Sequence, residues 1–392
     1  MAGRLDVPSV RSAFPALASG FVYLDNAGGS QTLGIVADRV RDYLLTSNVQ
    51  LGASYAVSEA AGARVHAGVR AAAALLGTPD PREVVVGPST TQLLANLALA
   101  MESTLAAGDE LVITDADHLA NITPWLRLAR RGVVLRTWPL NPTTLRLEER
   151  DLIPLLNART RLVAMAHVSN VLGSIHDVAA IARVVHAHGA RLLVDGVAYA
   201  PHRAVDVRAW DVDYYVFSFY KVYGPHLAAL YGKHDLLAAL PPINHACITD
   251  LPYRLQPGNL NFELTYGVTG IHDYLAALGP DAFERIAAHE EDLAAPLLAF
   301  LARKPGVQIY GERTADRHLR VPTISFGATG RTPEELVRAV DPHGLGIRHG
   351  DFYAKGVVRT LGLDHGVVRV SMVHYNSVAE IERLIDVLDP LL

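Results

Sequence analysis

The chain has 392 residues; half are hydrophobic, 19% are charged, and the formal net charge is −5. That length exceeds one average domain and that apolar share excludes a disordered chain, so a large buried core in one or two packed domains is expected. The acidic balance argues against a nucleic-acid binder, and no apolar run approaches the ~20 residues of a membrane helix.

In chain order, Met1 to Phe14 carries Arg4, Asp6 and Arg11 and lacks the apolar core of a signal peptide, so a cytoplasmic protein is expected. Glu83-Val84-Val85-Val86 reads as a buried strand, followed by the turn Gly87-Pro88 and a helix from about Thr90 to Thr104. Further strands are read at Glu110 to Ile113, Gly132 to Leu135 and Arg161 to His167. A helix from Val178 to His188 ends on Gly189, where a C-cap glycine belongs. Arg191 to Val194 and Val212 to Phe217 complete the series. Strands spaced by helices mean βαβ units and a mainly parallel sheet, hence an α/β fold. Ligands of such sheets bind beyond the carboxyl ends of the strands.

After about Gly270 the texture changes. Helical patterns run over Ile271 to Leu278 and Asp281 to Arg303, and strand-like segments lie at Val307 to Tyr310, Val321 to Phe326 and Val367 to Met372. Helices are read at Glu334 to Val340 and Val378 to Leu388. The expected division is a large domain over residues 16–270 and a small α+β domain over residues 1–15 and 271–392. The single cysteine, Cys247, can form neither an internal disulfide nor a cysteine-based zinc site.

Five strand ends carry candidate chemistry. Gly87-Pro88-Ser89-Thr90-Thr91 follows a strand and opens a helix, which suits a phosphate; ordinary N-capping explains the same residues. Lys221, in Ser218-Phe219-Tyr220-Lys221, follows an apolar strand where burial would lower its pKa and free its amine for Schiff-base chemistry; most lysines are merely solvated. Asp195 ends a strand and either holds a protonated ring nitrogen or caps the next segment. His118 and Asn170, at strand–loop junctions, read singly as loop residues.

Taken in order, a phosphate cup and then His, Asn, Asp and Lys at successive strand ends form a pattern. The chain resembles class V aminotransferase-type enzymes, which are fold-type I pyridoxal phosphate enzymes, and most closely their cysteine desulfurase-like branch. The matching stretches are Tyr23-Leu24-Asp25-Asn26-Ala27, Asp117-His118 through Asn121-Ile122-Thr123-Pro124-Trp125, and His167-Val168-Ser169-Asn170-Val171-Leu172-Gly173. Val194-Asp195-Gly196, Phe217-Ser218 to Lys221 with Tyr223-Gly224-Pro225, and His374-Tyr375-Asn376 continue the match.

The resemblance implies a fold-type I architecture, pyridoxal 5'-phosphate as cofactor, and a homodimer with shared active sites. It implies that Lys221 carries the cofactor and moves protons, that Asp195 pairs with the ring nitrogen, and that His118 stacks on the ring. It further implies that Asn170 meets the phenolic oxygen and that Thr90, Thr91 and Ser218 hold the phosphate, with Tyr220 replacing the histidine that usually precedes the lysine. Arg369 matches the arginine for the substrate carboxylate and Arg348 a second active-site arginine. Asn26 and Tyr353 are further candidates for substrate contact, and Asn259 lies where the family reaches the partner's phosphate.

The departures bear on the reaction. The desulfurase motif is roughly Arg-Thr-Gly-x-x-Cys, and here it reads Arg348-His349-Gly350-Asp351-Phe352-Tyr353. Tyr353 therefore stands at the position of the persulfide-forming cysteine, and a phenol cannot accept sulfur that way. The glutamine usual after Asp195 is Ala198. The leading expectation is a β-eliminating C–S lyase on a cysteine-type amino acid, with decarboxylation or enamine carbon–carbon bond formation also open. An aminotransferase or racemase is the alternative, then a desulfurase using Cys247, and last a non-catalytic binding protein. No G-x-G-x-x-G nucleotide motif and no zinc-binding helix occurs.

Overall fold

The computed structural model describes residues 4–392; of the expected N-terminal segment, residues 1–3 lie outside the described residues. The first short strand, β1 (Val22–Tyr23), stands apart from the large sheet. That sheet comprises β2 (Val84–Gly87), β3 (Glu110–Thr114), β4 (Val134–Trp138), β5 (Thr160–Ala166), β6 (Arg191–Asp195), β7 (Tyr214–Ser218) and β8 (Ala228–Gly232). The order across it is β2-β8-β7-β6-β5-β3-β4. Strands β3 to β7 pair in parallel, and β8 runs antiparallel to both β2 and β7. Burial on both faces accounts for the unbroken apolar runs: β7 and β8 are buried at every position.

The reversed strand β8 is absent from the sequence reading. Its residues Ala228-Ala229-Leu230-Tyr231-Gly232 include alanine and glycine, which strands usually avoid, and its neighbours supply the pairing that composition does not. A second difference is the helix expected from Ile271, which begins at Phe262. Its first turns hold Thr265, Gly267, Val268, Thr269 and Gly270, poor helix formers whose placement is decided by packing. A Cβ at Gly267 would lie 2.9 Å from Val40 and one at Gly270 3.0 Å from Val36, so these glycines let the helix press against the helix Gly34–Thr46.

A second hydrophobic core lies in the C-terminal part. Strands β9 (Val307–Tyr310), β10 (Thr323–Ala328), β12 (Arg348–Gly350) and β13 (Val367–Ser371) form an antiparallel sheet in the order β12-β13-β10-β9. The helices Ala282–Arg303, Pro333–Val340 and Val378–Leu388 add Leu297, Leu336 and Leu384 to that core. The remaining short strand, β11 (Leu345–Gly346), pairs in parallel with β1, and Val22 and Leu24 pack into this second core.

The N-terminal segment ties the two cores together. Arg11 donates to Tyr375 O at 2.8 Å and pairs with Glu380 at 2.8 Å. Phe14 is packed among Tyr223, Tyr274, His374 and Tyr375. The loop after β5 joins the cores at the other side. Gly173 there has φ +73°, and a Cβ would fall 2.4 Å from Thr323 O. No helix among the described residues is long and apolar enough to cross a membrane.

Candidate active site

The carboxyl ends of β5, β6 and β7 and the start of the helix Thr90–Met101 meet at a cleft of about 560 Å³, its open mouth included. This is the edge a parallel sheet offers to ligands, and the volume suits a cofactor. Thr90, Thr91, His118, Asn170, Asp195, Ser218, Tyr220 and Lys221 all line it.

Lys221 ends the short turn Phe219–Lys221 directly after β7 and is 8% exposed. Its amine has no ion-pair partner among the described residues. Burial, with the nearby charge of Arg369 adding to it, pushes its pKa down to about 8; Asp195 and Asp25 oppose the shift. Asp195, at the end of the neighbouring strand β6, accepts from Val197 N at 3.0 Å, and burial raises its pKa. Gly196 must follow it, because a Cβ there would lie 2.1 Å from the Tyr215 hydroxyl.

His118 is positioned by a buried scaffold that explains the spacing Asp117-His118…Asn121…Trp125. Asp117 accepts from Thr114 Oγ1 at 2.7 Å, Asn121 Nδ2 at 2.6 Å and Ala166 N at 3.0 Å, and Trp125 Nε1 donates to Asn121 Oδ1 at 3.4 Å. His118 Nδ1 accepts from Ala120 N at 3.0 Å, which assigns the ring proton to Nε2. Burial, reinforced by Lys221 and Arg369, holds its pKa down to about 4, so the imidazole is neutral.

At the other end of the cleft, the hydroxyls of Thr90 and Ser218 lie 2.7 Å apart. Ser89 caps the helix by accepting from Gln92 N, and the first-turn N–H groups have no intrahelical carbonyl to bond. An anion is the natural occupant of that corner. Tyr220 lines the same cleft in place of a histidine, and its ring stacks on His226 at 5.1 Å and 10°.

The remaining candidates stand outside the lining. Arg369 lies behind Asn170: its Nη1 donates to Asn170 O at 3.0 Å and its Nη2 to Asp25 at 2.7 Å. Arg348 is looser, 3.7 Å from the other oxygen of Asp25 with a side chain 58% exposed. Tyr353 is 62% exposed, with its ring 5.3 Å from that of His118. Asn26 is not brought to the cleft. It is buried and spends its amide on Tyr23 O, Ser371 O and Asn376, while its oxygen accepts from Tyr375. Asn259 is exposed, with its amide 3.4 Å from Gln50. Cys247 is exposed and also outside the lining. Asp25, which bridges both arginines, has no role in the sequence reading beyond its place in a matching stretch.

A nearly buried amine of lowered pKa can condense with an aldehyde, and the carboxylate on the adjoining strand suits a protonated ring nitrogen. With an anion corner opposite, this set accommodates a phosphorylated aromatic aldehyde, the chemistry of pyridoxal-phosphate-dependent enzymes. The chain belongs to the class-V aminotransferase family, whose profile matches residues 22–384. It is 43% identical to the aminotransferase-like protein FGM3 of Gibberella zeae over 98% of each chain. It is 34% identical to a cysteine desulfurase of Dickeya dadantii, over 97% of this chain and 95% of that one. Among solved structures, the apo cysteine desulfurase of Thermococcus onnurineus superposes with a TM-score of 0.92 at 26% identity, covering 100% of this chain and 99% of that one. The protein is therefore a pyridoxal-phosphate-dependent enzyme of the cysteine desulfurase-like group with the fold-type I architecture.

Proposed function

We propose that the enzyme breaks the Cβ–S bond of a cysteine-type α-amino acid by β-elimination. One observation carries this reading: at the motif position of a persulfide-forming thiol stands the phenol of Tyr353, its ring against His118. Cys247, the only thiol in the sequence, lies outside the cleft. An amino acid could release sulfur here as a thiol or sulfide, but the Tyr353 position offers no acceptor for a sulfur atom.

The roles follow from placement. Lys221 would hold the cofactor, Asp195 the ring nitrogen, His118 the ring face, Asn170 the phenolic oxygen, and Thr90, Thr91 and Ser218 the phosphate. When bound, the cofactor supplies an electron sink for the pair released at Cα. Arg369 binds the α-carboxylate, with Arg348 as a second cation beside it. Lys221 Nζ takes the Cα proton, an exchange for which a pKa near neutrality is suited. Neutral His118 covers the site without adding a charge that would compete for the substrate's carboxylate. The Cβ–S bond then breaks, the sulfur leaves as thiolate, and water completes the products as pyruvate and ammonia.

The working form is a homodimer with shared sites. Leu44 and Leu45 are 47% and 70% exposed on the helix Gly34–Thr46, and Asn259 stands away from its own cleft, available to a partner's. Sedimentation as a monomer would remove this part of the reading. The proposed domain division is kept at residues 16–270 and residues 1–15 with 271–392; Val22 and Leu24 pack into the smaller core, while Val10, Phe14 and Tyr375 pack into the larger one.

The direct test is anaerobic incubation of the holoenzyme with cysteine, cystine, S-alkylcysteines and cysteine sulfinate, assaying sulfide, pyruvate, alanine and carbon dioxide. Pyruvate with sulfide or thiol, and no alanine, is expected. Alanine formation with a persulfide on Cys247 would replace this reading with a desulfurase.

A further inference from the structure

We propose that Phe352 is a positioning residue for the substrate carboxylate, holding the Arg369 guanidinium and the Asn170 amide in one fixed unit. This rests on the reading that Arg369 takes that carboxylate. Three contacts close a circuit. Arg369 Nη1 donates to Asn170 O at 3.0 Å, Asn170 Nδ2 donates to Phe352 O at 2.9 Å, and the Phe352 ring lies 3.7 Å from Arg369 Cζ. The three residues come from separate places: the loop after β5, strand β13, and the turn after β12.

The circuit fixes the plane of the guanidinium. One face is covered by Phe352, and Nη1 and Nη2 are tied to Asn170 O and Asp25. Arg369 is 2% exposed, and its Nε is buried with no partner. A donor kept dry and unpaired is available to an incoming acceptor, and a planar fork recognises a carboxylate only when its plane is set. An aromatic face attracts a desolvated guanidinium, so phenylalanine does here what an aliphatic side chain of similar bulk would do less well.

The turn itself is held in place. Phe352 and Tyr353 have φ of 51° and 58°, a left-handed pair in a region that non-glycine residues seldom enter. Two main-chain acceptors keep it there: Phe352 O takes the Asn170 amide, and Tyr353 O takes Leu119 N at 2.8 Å. Because Asn170 lines the cleft while Phe352 and Arg369 stand behind it, Phe352 links the carboxylate site to the cofactor side of the cleft.

The test titrates the holoenzymes of wild type, Phe352→Ala, Phe352→Leu, Phe352→Tyr and Arg369→Lys with L-cysteine, reading binding from the cofactor's visible absorbance. Thermal midpoints of the cofactor-free proteins are measured alongside. Phe352→Ala is expected to weaken L-cysteine binding about tenfold, Phe352→Tyr to restore it, and Phe352→Leu to fall between. The visible band of Phe352→Ala should also shift its pH dependence, through the loosened Asn170. Unchanged binding in Phe352→Ala while Arg369→Lys weakens it would overturn this inference alone. Unchanged binding in both would overturn the assignment of Arg369, and the inference with it. A lowered thermal midpoint with binding that Phe352→Tyr does not restore would reduce Phe352 to a packing residue and likewise overturn it.

Discussion

The Lys221 amine lies where burial and two nearby carboxylates pull its protonation in opposite directions. Burial and Arg369 disfavour the ammonium, Asp195 and Asp25 favour it, and the balance leaves the pKa at about 8 rather than the ordinary 10.5. Below about pH 8 the amine is mostly protonated and cannot attack an aldehyde; above it the neutral form dominates. The rate at which cofactor-free protein takes up pyridoxal phosphate should therefore rise with pH and level off above 8. Stopped-flow absorbance would show it, and a rate still climbing steeply past pH 10 would contradict the burial argument. Lys221 and Asp195 were legible in the sequence because each directly follows an apolar strand, which places it at the ligand edge. Asp25 was not. Its partner Arg369 lies 344 residues away, and no local pattern announces that pairing. Asn26 shows the converse error, since a residue inside a matching stretch is consumed by hydrogen bonds that hold Tyr23, Ser371 and Asn376 together.

Among the elements, the buried parallel strands β3, β5, β6 and β7 were the readable part, since each is a short apolar run between turn residues; β8 and the short strands β1, β11 and β12 were not. The helix pairs flanking the sheet were not all readable, because their closeness depends on glycines that sequence periodicity treats as breaks. The helix Ala56–Leu76 meets Phe262–Ala277 at Gly68, where a Cβ would lie 2.0 Å from Thr265 O. That obstacle is main chain, so it cannot swing aside. Gly68→Ala should destabilise the protein by about 1–3 kcal/mol through overpacking. A urea midpoint unchanged from wild type would show that the two helices separate at little cost. The same contact explains why the helix from Phe262 was placed too late in the sequence: its weak formers are retained for fit, and fit is invisible to propensity.

Over the whole molecule, the buried histidines weaken the fold in acid, while buried Asp117, its pKa pushed up to about 7 by burial, acts in the opposite sense. His374 is fully buried with its pKa held down to about 3 by burial, and His176 is 5% exposed with its pKa at about 4 for the same reason. Both are neutral when folded and take up protons when unfolded, below the ordinary value of 6.5. The unfolded state thus binds more protons, and stability falls as pH drops from 6.5 toward the folded values. At pH 5 each should cost about 2 kcal/mol relative to neutrality. Chemical denaturation at pH 7 and pH 5 would compare wild type with His374→Asn, which should lose less stability between the two; a variant that loses as much as wild type would refute the account. The turn at Phe352 and Tyr353 has a consequence of another kind. Its hydrogen-bonded anchors are main-chain carbonyls, which any residue at 353 would supply. A thiol or a phenol at 353 would therefore ride on the same main-chain anchors, and the identity of that side chain can change the reaction without moving the turn that carries it.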